Sequence, residues 1–559
     1  MRQMSELGVG LGMTGLAMQD LGTTMLGQMF QKAYAASNDF SAEKHYIHLT
    51  LPGAPPRWLF DLPLFQPSAT LTTPVSIDCS GFGFSIQSGD QLITQGPKSF
   101  YRFNQSGMNY FLPPVWGQGV GGKSFSSLLP NMMMIRGMDN EIAAHGIANG
   151  RQIAPIINGI SLSGVIADLS KKPMPGVGGG MGTAIPESVR AFRSPKRLAS
   201  VNIPGGANPL ETLLAAFKTS SSPPFYKAES YRSIKEQSLQ KFEEYSRHLG
   251  YSAEALGESY ESAISIMSQG TYNLKDSYQS VQEKYQNLIN QAISYENMSQ
   301  VFSSKISPSA NEGWNDVGLS DRFAGTATTD LRDAFKENGT VRPNVSGMAA
   351  QFAILELLIL NNLTPVCALG FGNLSGLSVP IKDKDAASTV SPVMDNYALT
   401  HDQHYVGALA ATLFTTGFYR AFLVCLCEFV DQLKANGKFD QTVIHLASDF
   451  NRKPKAIGNG SDHGPSGSGA SLISGMFNQF QMTGNILSNS NEAVYPGTWG
   501  KAADYGGFGR PIQVNDVVGS IAVSLFGITN PVKLGLVTNY HSLFSSDGTP
   551  ILNGEIKNV

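Results

Sequence analysis

Apolar and polar positions alternate from Lys44 to Leu51 (KHYIHLTL), which predicts a first β-strand. Further along, continuous apolar runs replace alternation. Leu129 to Met134 reads as a strand, and IRGMDNEIAAHGIANGRQ continues it into a loop and a helix, with His145-Gly146 near the turn. Met348 to Leu360 is apolar enough for a buried helix, and Thr364 to Leu369 (TPVCAL) for a buried strand. A helix over about 403–436 follows and stops at Asn436-Gly437, before a strand from Thr442 to Ala447. Helix, strand, helix, strand with short connections predicts an α/β fold, a mostly parallel sheet flanked by helices.

Other stretches break this rhythm. The run PGAPPRWLFDLPLF after the first strand is a rigid proline-rich loop holding Arg57, Trp58 and Asp61. Residues 67–128 carry Ser, Thr, Gly and aromatics without helical spacing, which predicts an irregular β-rich excursion. Residues 169–210, with PMPGVGGGMG and IPGGANP, read as linker. Between 210 and 305 apolar residues recur every three or four positions among Lys, Glu and Gln, which predicts antiparallel amphipathic helices inserted into the core. Such an insertion serves either as a solvated arm or as a surface for a protein partner or self-association. Ala470 to Met476 is a short apolar segment, and Asn515 to Phe526 predicts a helix with Asn515 or Asp516 near its N-cap. The chain therefore divides into an N-terminal segment (1–37), a first part of the α/β core (38–209), the helical insertion (210–305) and a second part of the core (306–559).

Composition narrows the functional classes. The 559 residues are 42% hydrophobic and 15% charged, enough for a sizeable core. A net charge of −3 gives no electrostatic case for nucleic acid. No run has the length and apolarity of a membrane span. Cys79, Cys367, Cys425 and Cys427 read as buried free thiols, since Cys425 and Cys427 sit two apart on a helix and point apart. Residues 1–37 are glycine- and methionine-rich, with Ala33-Tyr34-Ala35 as a small-x-small cleavage site. They fit a weakly hydrophobic export signal of the twin-arginine type without its arginine pair, or an amphipathic helix that stays with the protein. The first reading makes the protein exported, periplasmic or extracellular.

Candidate chemistry gathers in one stretch, Thr442 to Gly469. Its apolar strand delivers Asp449, Asn451 and Arg452, then Asp462 and His463, as α/β enzymes deliver site groups from strand ends. Asp462-His463 pairs an oxygen ligand with an imidazole, suitable for Zn²⁺ or a similar cation. The plain alternative is a polar loop with a capping aspartate. Asp449 reads equally as a ligand or as the partner of Arg452 or Lys453, and Arg452 as an anion-binding fork or a salt bridge. His401 and His404 lie three apart at a helix start and can face one site, with Asp402 beside them. His145 is weighed as a ligand against an ordinary loop histidine, while His45, His48, His248, His445 and His541 read as structural. The run Gly178 to Gly180 lacks the lysine of a phosphate-binding loop, and no serine is marked as a nucleophile.

From His401 onward the order of features resembles a family of secreted bacterial proteins, the domain of unknown function numbered 1501, within the alkaline phosphatase and sulfatase superfamily. Thr400-His401-Asp402-Gln403 looks like the end of its Gly-Gly-Trp-Asp-Thr-His stretch, and Glu428 to Gly437 like the following helix. Asp449-Phe450-Asn451-Arg452-Lys453-Pro454 resembles its Glu-Phe-Gly-Arg-Thr-Pro motif, and Ser461-Asp462-His463-Gly464 its Gly-x-Asp-His-Gly. Two aspartates of the family pattern are missing: Leu399 stands at one, and the first strand runs into Pro52-Gly53-Ala54-Pro55-Pro56 without the other, with Asp61 out of register. The resemblance implies His401, Asp449, Asp462 and His463 as metal ligands, with Arg452 on an anion and Asp402, His404 and His145 as replacements. One divalent cation (Zn²⁺, Mn²⁺ or Ca²⁺) is what such a reduced set implies. The expected function is a partly degenerate metal site in a binding or assembly protein. The rival expectation is a metal-dependent hydrolase of phosphate or sulfate esters.

Overall fold

The computed structural model describes residues 44–63, 67–70, 101–156, 159–170, 172, 176–181, 199–203, 271–293, 346–372, 378–380, 396–398, 401–402, 408–454, 461–464, 466–487, 501–545, 549 and 551. The segment 1–37, His404, Leu399, Cys79 and His248 lie outside them.

The elements that build the fold are, in chain order, β1 (His45–Leu51), β2 (Tyr101–Gln105), β3 (Met108–Leu112), β4 (Met132–Asp139), α1 (His145–Ile153) and α2 (Leu162–Leu169). Then come β5 (Val177–Met181), β6 (Ala199–Ile203), α3 (Thr271–Ala292), α4 (Ser346–Leu360), β7 (Val366–Gly370) and α5 (Ala408–Ala435). The chain continues through β8 (Thr442–Ser448), β9 (Asn451–Pro454), β10 (Ser461–Gly464), β11 (Ser466–Ser474), β12 (Gln481–Thr483), β13 (Ile512–Gln513) and α6 (Val514–Ser520). A nine-stranded sheet is ordered β12-β4-β11-β8-β1-β7-β5-β6, with β13 alongside β4. It is mixed but mostly parallel. Of its described strands, β11 runs against both its neighbours, β8 and β4, while the remaining pairings are parallel.

Period-two alternation explains why this sheet has two cores. On one face Ile47, Leu49, Leu446, Cys367 and Leu369 join residues of α3, α4 and α5. On the other, Tyr46, Val443, Val366 and Ala368 join α2 and α6. Because both faces are covered, the central strands are apolar nearly throughout, as a buried parallel sheet requires. The first core is aromatic. Phe352, Phe371, Phe418 and Phe422 pack with centroid spacings of 5.0–6.2 Å. Each such side chain contributes about 1.5–3 kcal/mol on burial. The polar exceptions in the centre are His48 and His445, register partners across β1 and β8, whose rings stack 4.8 Å apart. Burial drives His48 down to about 4 and His445 well below the usual imidazole value, so both are neutral spacers of the sheet. Cys367, Cys425 and Cys427 are buried free thiols.

Two parts of the linker and arm reading change. Within 169–210, Val177–Met181 and Ala199–Ile203 are parallel strands of the main sheet. Three consecutive glycines erase the side-chain alternation that would mark a strand, yet Gly178 and Gly179 are buried beside β7. Within 210–305, α3 is a core helix. Tyr278, Tyr285, Ile289 and Ala292 enter the first core. Lys284 reaches Glu356 at 3.0 Å and Glu428 at 2.9 Å, tying α3 to α4 and α5. Its apolar face is therefore taken by its own chain. At the C-terminal helix the cap is Gln513. Its side chain and that of Asp516 form a reciprocal capping box, and Asp516 is also gripped by Arg510 at 2.6 Å. Among the described residues no helix is long and apolar enough to cross a membrane.

Candidate metal centre

Parallel strands place their carboxyl ends on one edge of the sheet, and that edge is where α/β folds expose polar groups. Here β1 ends into Pro52-Gly53-Ala54, β4 into Asn140 and the loop to α1, and β8 into Asp449. These three ends, with the 401–402 segment and the β9–β10 hairpin, form one polar cluster.

His145, at the start of α1, is its centre. Its Nδ1 donates to Asp449 Oδ2, and its Nε2 faces Asp402 Oδ1 at 3.5 Å. Asp449 is 1% exposed, whereas Asp402 is 45% exposed, so the cluster has a sealed floor and an open side. The Gly53 N–H also donates to Asp449 Oδ2 at 3.1 Å, and Asn140 Nδ2 donates to the Asp449 carbonyl. Asp449 Oδ1 is buried without a hydrogen-bond partner among the described residues. Burial opposes charge on the His145 ring, but the two carboxylates outweigh it and push the ring up to about 9. Asp402 is held well below the usual carboxylate range. Its partial burial works the other way and is overcome by His145 and Arg452.

Phe450 orders the rings. It is fully buried and packs against both imidazoles, 4.6 Å from His145 and 4.4 Å from His463, which themselves lie 4.5 Å apart, edge to face. His463 arrives through the hairpin register, in which Arg452 opposes His463 and Lys453 opposes Asp462. His145, Asp402 and His463 thus offer three ligand atoms all within 4.8 Å of one another, and could hold a metal ion. Two imidazoles and a carboxylate are a suitable donor set, and the Asp449–His145 contact orients a ligand imidazole as carboxylates do beside bound metals. Loading would displace the proton that the carboxylates hold on His145.

Arg452 closes the remaining side. Its side chain is fully buried and salt-bridged to Asp402. Nε donates to the Ala54 carbonyl and Nη2 to the Gly53 carbonyl, each at 3.1 Å, and Nη2 lies 3.3 Å from His145 Nε2. With His145 protonated, two cations and two carboxylates, Asp402 and Asp449, make a self-neutralised unit. The salt-bridge reading of Arg452 is the one the geometry adopts.

Gly53 makes the assembly possible. It sits at φ +89°, and a Cβ there would meet the His401 Cβ at 2.9 Å. The loop after β1 is thus the surface on which His401 and Asp402 lie.

The sequence-based ligand set is only partly assembled. His463 is in the cluster. Asp449 borders it through His145. His401 is fully buried, with Nδ1 3.2 Å from the Pro52 carbonyl and its ring edge-on to Phe418 at 4.3 Å. Burial drives it down to about 4, and it is not one of the three clustered donors. Asp462 is placed by its backbone pairing alone, and its side chain lies outside the described residues, as does His404. Asp61 is no substitute carboxylate. It is buried against Arg57 and accepts from Ser471 Oγ at 2.7 Å. His145, weighed as a ligand against an ordinary loop histidine, is the hub. The position that could have revealed it is the strand-to-helix turn after β4, on the same sheet edge as the end of β8. Gly53, Asn140 and Phe450 carried no signal of their own.

The chain matches no protein-family model and no curated protein.

Proposed function

We propose that this is an exported binding protein on an alkaline-phosphatase-like scaffold, with the superfamily's two-ion hydrolytic site reduced to a seat for one divalent cation. The observation that carries the reading is the grouping of His145, Asp402 and His463, with all three donor atoms inside 4.8 Å. Two further carboxylates are engaged: Asp449 Oδ2 by His145 and Gly53, and Asp61 by Arg57 and Ser471. A two-imidazole, one-carboxylate set suits Zn²⁺ or Mn²⁺ better than Ca²⁺, which takes oxygen ligands.

With one such cluster and no marked nucleophile among the described residues, and an arginine paired with Asp402, the site supports binding rather than ester cleavage. The test is metal content by elemental analysis of protein purified without chelator, alongside assays with aryl phosphate and aryl sulfate esters. The expected result is one Zn²⁺ or Mn²⁺ per chain, lost in His145→Ala, and no turnover. Two ions per chain with ester cleavage would restore the hydrolase reading. No ion under any loading condition would end the one-seat reading.

A further inference from the structure

We propose that Arg452 is a built-in competitor for the cation seat: its guanidinium holds the Asp402 carboxylate that an incoming divalent cation needs, and so sets how tightly the site binds. This deepens the one-seat reading above and rests on it. Three observations carry it. First, Nη2 of Arg452 contacts two of the three proposed donors, paired with Asp402 Oδ1 and 3.3 Å from His145 Nε2. The positive group already lies beside two of the atoms that would hold a cation. Second, Arg452 is fixed. It is fully buried and anchored on the Gly53 and Ala54 carbonyls, so it does not leave when Asp402 does. Third, Asp402 is 45% exposed, so its carboxylate stands on the side from which a cation would enter.

A guanidinium at this range repels a dication directly and also withdraws one of its ligands. Both effects are strengthened by the burial of the guanidinium. The described groups facing Arg452 include Asp402, His145, His401, the Phe450 ring with its centroid 5.9 Å from the guanidinium carbon, and backbone carbonyls. Asp449 Oδ2 is held by His145 and Gly53.

The experiment is calorimetric titration of the full chain with Zn²⁺ at one neutral pH, comparing wild type, Arg452→Gln and Arg452→Lys. Glutamine keeps a donor for the Ala54 carbonyl, at the position of Nε, but carries no charge. Its affinity should rise by at least about tenfold. Lysine keeps the charge but not the fork that spans carbonyl and carboxylate together, so its affinity should fall between the other two. If glutamine prevents folding, the lysine variant alone still has to bind Zn²⁺ more tightly than wild type. Equal or weaker binding in the folded variants overturns the proposal while leaving the one-seat reading intact. If neither wild type nor variant binds Zn²⁺, the seat itself is disproved, and the competitor role with it.

Discussion

Two arginine–aspartate pairs flank the loop after the first strand, and they differ in one respect. Arg57 and Asp61 are both wholly buried, joined within a single turn, with Ser471 donating to the same carboxylate and the Leu446 carbonyl 3.5 Å from the guanidinium. Arg452 is equally buried, but its partner Asp402 is 45% exposed and comes from a different part of the chain. Burial works against the charge on Arg57, yet Asp61 outweighs it and raises the guanidinium further. The first pair is closed on every side and can only hold the fold. The second has one open side, where its carboxylate can change partners. The same two residue types thus make structure or a site according to access, which a sequence does not display.

The comparison breaks most sharply at Asp61. Asp61→Asn keeps the shape and leaves the Arg57 charge buried beside a neutral amide. A buried pair that loses one charge costs about 3–5 kcal/mol. Urea unfolding of the variant should show a loss of that size, at constant m-value. A loss below about 1 kcal/mol would mean that the sealed pair contributes no more than an exposed one.

The legible part of this molecule is the part written in continuous apolar runs. The strands at 45–51, 366–370 and 442–448, and the helices at 346–360 and 408–435, show their burial in composition alone, because both faces of the sheet are covered. The strand at 177–181 does not, since glycine carries no face. The helix at 271–292 displayed its amphipathic spacing, but spacing cannot say whether the apolar side meets its own chain or another. The site follows the same division. His463 and the Asp449 strand end were marked by local motifs. The hub was not, because His145 meets Asp449 across 304 residues and Asp402 across a similar distance, and such pairings are decided by sheet order. Arg452 could be narrowed locally to an anion fork or a salt bridge, and only the placement of Asp402 chose between them.

Gly53 joins the two pairs and gives an intermediate effect. It follows β1, four residues before Arg57; its carbonyl anchors Arg452, its N–H anchors Asp449, and its bare Cα lets His401 approach. Gly53→Ala places a methyl at φ +89° and 2.9 Å from the His401 Cβ. The combined strain and crowding should lower stability by about 1–3 kcal/mol. Because the displaced segment carries Asp402, Zn²⁺ affinity should fall in the same variant. Thermal unfolding and calorimetry on one preparation check both. A loss of stability without a loss of affinity would separate the loop from the site and undo the link between the pairs.

The smallest stability effect belongs to Asp402. Asp402→Asn removes the formal charge opposite Arg452, and a buried guanidinium without a counter-charge would ordinarily be as damaging as the change at Asp61. Three features prevent that here. The asparagine oxygen still accepts from Nη2, the Gly53 and Ala54 carbonyls still accept from the same fork, and the open side admits water to the charge. The expected loss is therefore about 1 kcal/mol or less. Zn²⁺ binding should be abolished all the same, since one of three donors and its negative charge are gone. Urea unfolding of Asp402→Asn beside Asp61→Asn measures the contrast directly. Equal losses would show that Asp402 is as structural as Asp61, and that its exposure has no functional meaning.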